Sequence, residues 1–104
     1  MAAQEPRIFV AYVDKDLEEL VPDFFHNRHN DIQKIVAALD RNDFEVIRGI
    51  GHTLKGVGGG YGFDEITDFG REIETAAKAG NADDILYWIN ELYRYLTEVQ
   101  IYYQ

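Results

Sequence analysis

Residues 49–62 read Gly-Ile-Gly-His-Thr-Leu-Lys-Gly-Val-Gly-Gly-Gly-Tyr-Gly, and seven of these fourteen positions are glycine. Each glycine inside a helix costs about 1 kcal/mol relative to alanine, so composition alone argues for a loop. The apolar residues argue otherwise. Phe44, Ile47, Ile50, Leu54, Val57 and Tyr61 recur at spacings of three and four, the period of an amphipathic helix. Propensity and period disagree, and such disagreements gather at functional sites. Two readings stand: a loop, or a helix that carries glycine for a reason. A phosphate-cradling loop fits poorly, because Lys55 precedes Gly56 and no strand leads into the glycines.

On a helix advancing 100° per residue, His52 lies about 160–220° from Ile47, Ile50, Leu54 and Tyr61. It points away from the apolar stripe, where a core histidine would not. Its own face carries Arg48, Lys55, Gly56 and Gly59. One alternative is a plain solvated histidine. The other is a reactive one: glycines clear the flanks so that a partner's backbone or a bulky anion can approach. An exposed imidazole beside a cation suits a nucleophile toward phosphorus.

Outward from this stretch the chain reads as helix after helix. Asp43 suits the N-cap of the helix that holds His52. Before it, Pro22 fits a helix's first turn, and Phe25, Ile32, Ile35, Val36 and Leu39 keep the period as far as Asp40-Arg41-Asn42-Asp43. After it, Ile66, Phe69, Ile73 and Ala77 form a third run from about Asp64, stopped by Gly80-Asn81. A fourth run carries Ile85, Leu86, Ile89, Leu92, Leu96 and Val99 and ends in Ile101, Tyr102 and Tyr103. Asp14 or Asp16 can cap a short helix through Leu17 and Leu20. No segment alternates with the period of a strand. Short connections favour antiparallel neighbours. The fold expected is all-α: an antiparallel up-and-down four-helix bundle with a short extra N-terminal helix. Residues 1–13 are a lead-in, and 14–104 form a single helical domain.

The chain has 104 residues, enough for one core. Its ten Lys and Arg against nineteen Asp and Glu give a net charge of −9, which disfavours nucleic acid and anionic membranes as partners. It has no cysteine, which excludes disulfides, thiolate metal sites and thiol nucleophiles. No apolar run is long enough to span a membrane, and the first ten residues lack a signal-peptide core. The default address is the cytoplasm. His26 and His29 sit three apart near Asp23, but the paired Glu-x-x-His motifs of a metal bundle are absent, so no metal site is expected.

The stretch resembles the histidine phosphotransfer (HPt) domain family, whose motif is H-x-L-K-G followed by five residues and Gly. It stands here as His52-Thr53-Leu54-Lys55-Gly56, then 57–61, then Gly62. Phe63 and the stretch through Phe69, Ile73 and Glu74 extend the likeness, which covers roughly residues 14–103. The resemblance implies a four-helix bundle with an exposed phosphoacceptor, His52. It implies that Lys55 interacts with the phosphoryl oxygens, that Gly56 leaves space for the group and the partner, and that Gly62 serves the helix end. Gly59 is expected to add clearance for docking.

Many stand-alone relay domains carry Gln on the neighbouring helix, and here the corresponding position, 22 beyond His52, is Glu74. That Glu is similar to the one in phosphoacceptor domains of chemotaxis-type kinases, where it orients the imidazole. Gly70, one turn earlier on the same side, leaves room. A solvated Glu74 paired with Arg71 or Lys78 is the bland alternative.

The expected function is a phosphocarrier, not a complete enzyme, exchanging a phosphoryl group with an aspartate of a response-regulator receiver domain or taking it from a histidine kinase. No cofactor is expected on this chain, magnesium belonging to the receiver. A non-catalytic adaptor that docks a receiver without carrying phosphate is the alternative, and a metal-holding bundle a third. Monomer is the default state. An exposed patch at Tyr102 and Tyr103 would bear on that, and Trp88 has no assigned role.

Overall fold

Three helical segments begin where a short polar side chain takes up an otherwise unpaired backbone amide. Asp43 accepts from Val46 N at 3.3 Å, Asn81 from Asp84 N at 3.1 Å, and Asp14 from Asp16 N at 2.8 Å. In the computed structural model, which describes residues 8–104, these caps open helix α2 (Phe44–Tyr61), helix α4 (Ala82–Glu98) and a 3-10 helix (Lys15–Leu20). Helix α1 (Val21–Asp40) has Pro22 in its first turn, where no backbone donor is missed. Helix α3 spans Asp64–Lys78. Residues 1–7 of the expected lead-in lie outside the described residues.

The glycine-rich stretch is helical throughout, so the loop reading falls. The apolar period outweighs the propensity cost because Ile47 and Leu54 are fully buried, with Ile50, Val57 and Tyr61 packed on the same core. The helix stops at Gly62, whose φ of 91° is a left-handed conformation that costs glycine little. Tyr12 O of the chain's N-terminal part packs directly over it, in space a side chain would fill.

The expected stripes are mostly buried, with two corrections. Val36 and Leu86 are exposed, each lying just past the edge of its helix's contact face. Conversely, Tyr95 sits wholly inside, ringed by Phe9, Phe63 and Phe69 at centroid distances of 5.0, 6.4 and 5.8 Å. Burial holds its phenol well above the usual range, and among the described residues its hydroxyl has no hydrogen-bond partner.

The larger correction concerns strands. Val10–Val13 (β1) and Gln100–Tyr103 (β2) form a two-stranded parallel ladder, with Val10 opposite Gln100 and Val13 opposite Tyr103. Phe9, Ala11 and Val13 face the core while Tyr12 faces out and stacks on Tyr102 at 5.8 Å. The alternation is real but hidden, because the outward residues Val10 and Tyr12 are themselves apolar. The last three expected helix-end residues, Ile101 to Tyr103, are therefore strand, and part of the lead-in belongs to the core.

Candidate functional site

The α2–α3 crossing brings the site together. On α2, Gly51 and Gly58 are buried, and on α3 so is Gly70. A β-carbon on Gly51 would stand 2.7 Å from Glu74 N, and one on Gly58 would stand 2.7 Å from Thr67 N. The facing pairs run up one helix and down the other, so α2 and α3 lie in opposite senses with backbones nearly touching. The room beside Gly70 is taken by the α2 backbone at Gly51 O and Lys55 N rather than left for a ligand.

That closeness puts the Glu74 side chain under the exposed face of α2. Its carboxylate is nine-tenths covered, while the His52 ring is 68% exposed. Glu74 Oε2 lies 3.2 Å from His52 Nδ1, and Glu74 Oε1 lies 2.9 Å from Lys55 Nζ. A carboxylate only accepts, so the first contact calls for the proton on Nδ1 and leaves the Nε2 lone pair facing solvent. The Lys55 ammonium holds the Glu74 carboxyl below its ordinary value. Burial opposes this, and the hydrogen bond to His52 adds to the lowering. Glu74 is thus no solvated surface residue: Arg71 pairs with Asp68 at 2.9 Å instead. Arg48, one turn before His52, is engaged by Glu45.

The surface on the side of His52 away from α3 is bare. A β-carbon on Gly49, Gly56 or Gly60 would meet nothing within 4 Å. Gly59 differs. It faces the α3 edge, where Thr67 Oγ1 accepts from its amide at 3.0 Å, and a β-carbon there would make ordinary contacts with Thr67 and Asp64. Thr67, Gly51 and Gly58 escaped the sequence reading. The signal for the two glycines was available in principle, because both fall on the side of α2 between the apolar stripe and the His52 face, where a neighbouring helix must lie.

His52, Lys55 and Glu74 therefore converge, while His26 and His29 do not join them. His29 packs edge-on against Tyr93 at 5.8 Å. Among the described residues no group of three or more His, Asp or Glu is arranged to hold a metal ion, and no helix is long and apolar enough to cross a membrane.

The family model for the Hpt domain matches residues 19–101. The chain belongs to the Hpt domain family. Membership makes it a phosphotransfer module of two-component signalling, a class that works with receiver domains and histidine kinases and is not a self-sufficient enzyme. The match runs from the 3-10 helix to β2, so this Hpt domain takes in all four helices. Comparison with curated proteins and with solved structures gives no match.

Proposed function

We propose that the chain is a histidine-containing phosphocarrier in which His52 accepts a phosphoryl group and exchanges it with a receiver-domain aspartate, or takes it from a histidine-kinase catalytic domain. The observation that carries this is the Glu74–His52 contact, which favours an exposed nucleophilic Nε2 on a ring whose other nitrogen is held. The Nε2 lone pair attacks phosphorus and an N–P bond forms. The P–O bond to the donor aspartate breaks, and the carboxylate leaves with its electron pair. The proton stays on Nδ1, so the phosphorylated ring is cationic and Glu74 stabilises it. That same charge makes the ring a good leaving group for the onward transfer.

In this reading Lys55 leaves Glu74 Oε1 to meet the phosphoryl oxygens, a short swing for a side chain that is 36% exposed. Gly56 and Gly59 give a receiver close access. Glu74 orients the ring and stays off the dianionic group, which it would repel. Magnesium and the acceptor carboxylate are the receiver's, and charge neutralisation by them completes the transfer. The helices act as an antiparallel up-and-down bundle, and the carrier works as a cytoplasmic monomer whose acidic surface suits protein partners over nucleic acid or membrane.

The test is intact-mass measurement after incubation with a small phosphoramidate and, separately, with a phosphorylated receiver. Wild type is expected to gain one acid-labile phosphoryl group and His52→Gln none, with unchanged helical content. Lys55→Ala slows the gain, and Gly56→Leu blocks transfer from the receiver while sparing the small donor. Receiver binding without any phosphoryl gain from either donor would overturn the proposal in favour of an adaptor.

A further inference from the structure

Among the glycines of residues 49–62, two sets face opposite ways. Gly49, Gly56 and Gly60 look into open space, whereas Gly51 looks into the backbone of α3, and Gly70 of α3 looks back into the backbone of α2. What Gly51 and Gly70 touch is specific. A β-carbon on Gly51 would meet Glu74 N at 2.7 Å and Glu74 Cα at 3.1 Å. One on Gly70 would meet Lys55 N, closer still, with Gly51 O and Leu54 Cβ both at 2.8 Å. None of these is the movable end of a side chain. Ordinary contact at a β-carbon begins at 3.4 Å, so either methyl group forces the two backbones apart.

The side chains that bridge this gap have little slack. Glu74 reaches His52 Nδ1 at 3.2 Å and Lys55 Nζ at 2.9 Å, and a hydrogen bond is lost when a separation of that size grows beyond about 3.5 Å. The backbone separation at Gly51 and Gly70 and the reach of Glu74 are therefore one dimension of the molecule seen twice.

We infer that Gly51 and Gly70 are positioning residues for His52: the close α2–α3 approach that they permit beside Glu74 sets the Glu74 contacts that fix which ring nitrogen carries the proton. The consequence for phosphotransfer rests on the reading of His52 as phosphoacceptor, but the positioning itself does not. Gly58 supplies an internal comparison. Its β-carbon would meet Thr67 N at 2.7 Å, Phe63 O at 2.8 Å and Ile66 Cβ at 2.9 Å. The crowding is similar and lies at the same helix pair, but nearly two turns beyond His52 and away from Glu74.

The experiment compares Gly51→Ala, Gly70→Ala and Gly58→Ala with wild type by 15N NMR of the histidine ring nitrogens, at a pH where the ring is neutral. Wild type and Gly58→Ala are expected to show the proton of His52 on Nδ1. Gly51→Ala and Gly70→Ala are expected to revert to the tautomer mixture of an imidazole in water. All three lose thermal stability, so stability alone does not separate them and the tautomer does. Phosphorylation by a small phosphoramidate falls in Gly51→Ala and Gly70→Ala by up to about 10²-fold, as for a misplacement of about 1 Å, and much less in Gly58→Ala.

Folded Gly51→Ala and Gly70→Ala that keep the wild-type tautomer would overturn the inference, and so would equal loss in Gly58→Ala. Should the alanine variants not fold, Glu74→Asp tests the same dimension from the other side. Its carboxylate falls one methylene short, and loss of the Nδ1 proton signature is expected. Retention would mean that the helices readjust freely and that the glycine crossing sets nothing. Because the tautomer is read without any phosphoryl donor, a chain that failed to accept phosphate would still reveal whether the two glycines place the ring's proton.

Discussion

Where α2 and α3 face each other the backbones touch through glycine, whereas where α1, α4 and the residue ahead of β1 pack onto that pair and its turn, the space is filled by rings. On the ring side, Phe24 stacks on Tyr61 and Phe63 at 4.2 and 5.6 Å, Phe69 packs against Trp88 at 5.9 Å, and Phe9 carries the Arg94 guanidinium at 4.7 Å from its centroid. Aromatic packing of this sort buries large apolar areas and supplies most of the driving force for folding. The glycine side buries little side chain. It gives up helix propensity for nearness, and the nearness brings a covered carboxylate to an exposed histidine. One side holds the fold together and the other sets a distance, so the two should respond differently to substitution.

The largest expected effect tests the ring side. Phe63→Ala should cost about 3–5 kcal/mol, the range for truncating a buried aromatic, as read from denaturant unfolding. The folded fraction should keep the wild-type His52 tautomer, because Phe63 packs on the rings of Phe24, Phe25 and Tyr95, at the end of α3 opposite to Glu74. Loss of that tautomer would show that the two sides are not separable. A smaller effect of opposite sign is expected on the outward glycines: Gly49→Ala and Gly60→Ala should each stabilise by up to about 1 kcal/mol, since nothing opposes the added methyl. Destabilisation at either would mean that the open face is more constrained than its surroundings indicate.

Smaller again, Tyr95→Phe should be neutral or stabilising by about 1 kcal/mol, because it removes a buried hydroxyl that has no partner among the described residues. A loss of more than that would reveal a partner for the hydroxyl. The smallest effect is electrostatic, since Lys55 is partly in solvent. The Glu74 carboxyl titrates lower in the folded chain than its ordinary 4.5. Its contribution to stability is thus fully present above pH 4.5 and lost as the pH falls through the lower, folded value. The share of the stability difference between wild type and Glu74→Gln that the carboxylate's own titration supplies should shrink as the pH falls from 4.5 through the lower, folded value. A difference that instead grew toward low pH would reverse the sign of the Lys55–Glu74 interaction.

The helices were legible because their apolar residues recur at three and four with polar faces between, and because Asp43, Pro22 and Gly80-Asn81 mark their ends. The face that carries His52 was legible for the same reason, by subtraction. The strands were not. Ile8 to Val13 is apolar at every position, so its period of two is masked, and its partner lies at the far end of the chain where no local pattern refers to it. The placement of Glu74 beside His52 came from a resemblance, since spacing along one helix says nothing about the helix opposite. The division of the glycines into inward and outward sets also needed the neighbouring backbone to be seen. Composition shows only that glycine is abundant, and both sets look alike in one dimension.

The parallel ladder carries a consequence for the order in which the chain assembles. Its first pair, Val10 with Gln100, joins residues 90 positions apart, while the α2–α3 crossing joins segments separated only by the short turn at Gly62. Closing the longer loop demands more chain entropy before any bond offsets it. The hairpin that carries His52 and Glu74 is therefore expected to form early, and the ladder to close last over a bundle already in place. On the native side the same ordering runs in reverse. Amides of β1 and β2 should exchange with solvent through a local opening that leaves α2 and α3 packed, so that the two ends of the domain can come undone and rejoin without the histidine losing its carboxylate.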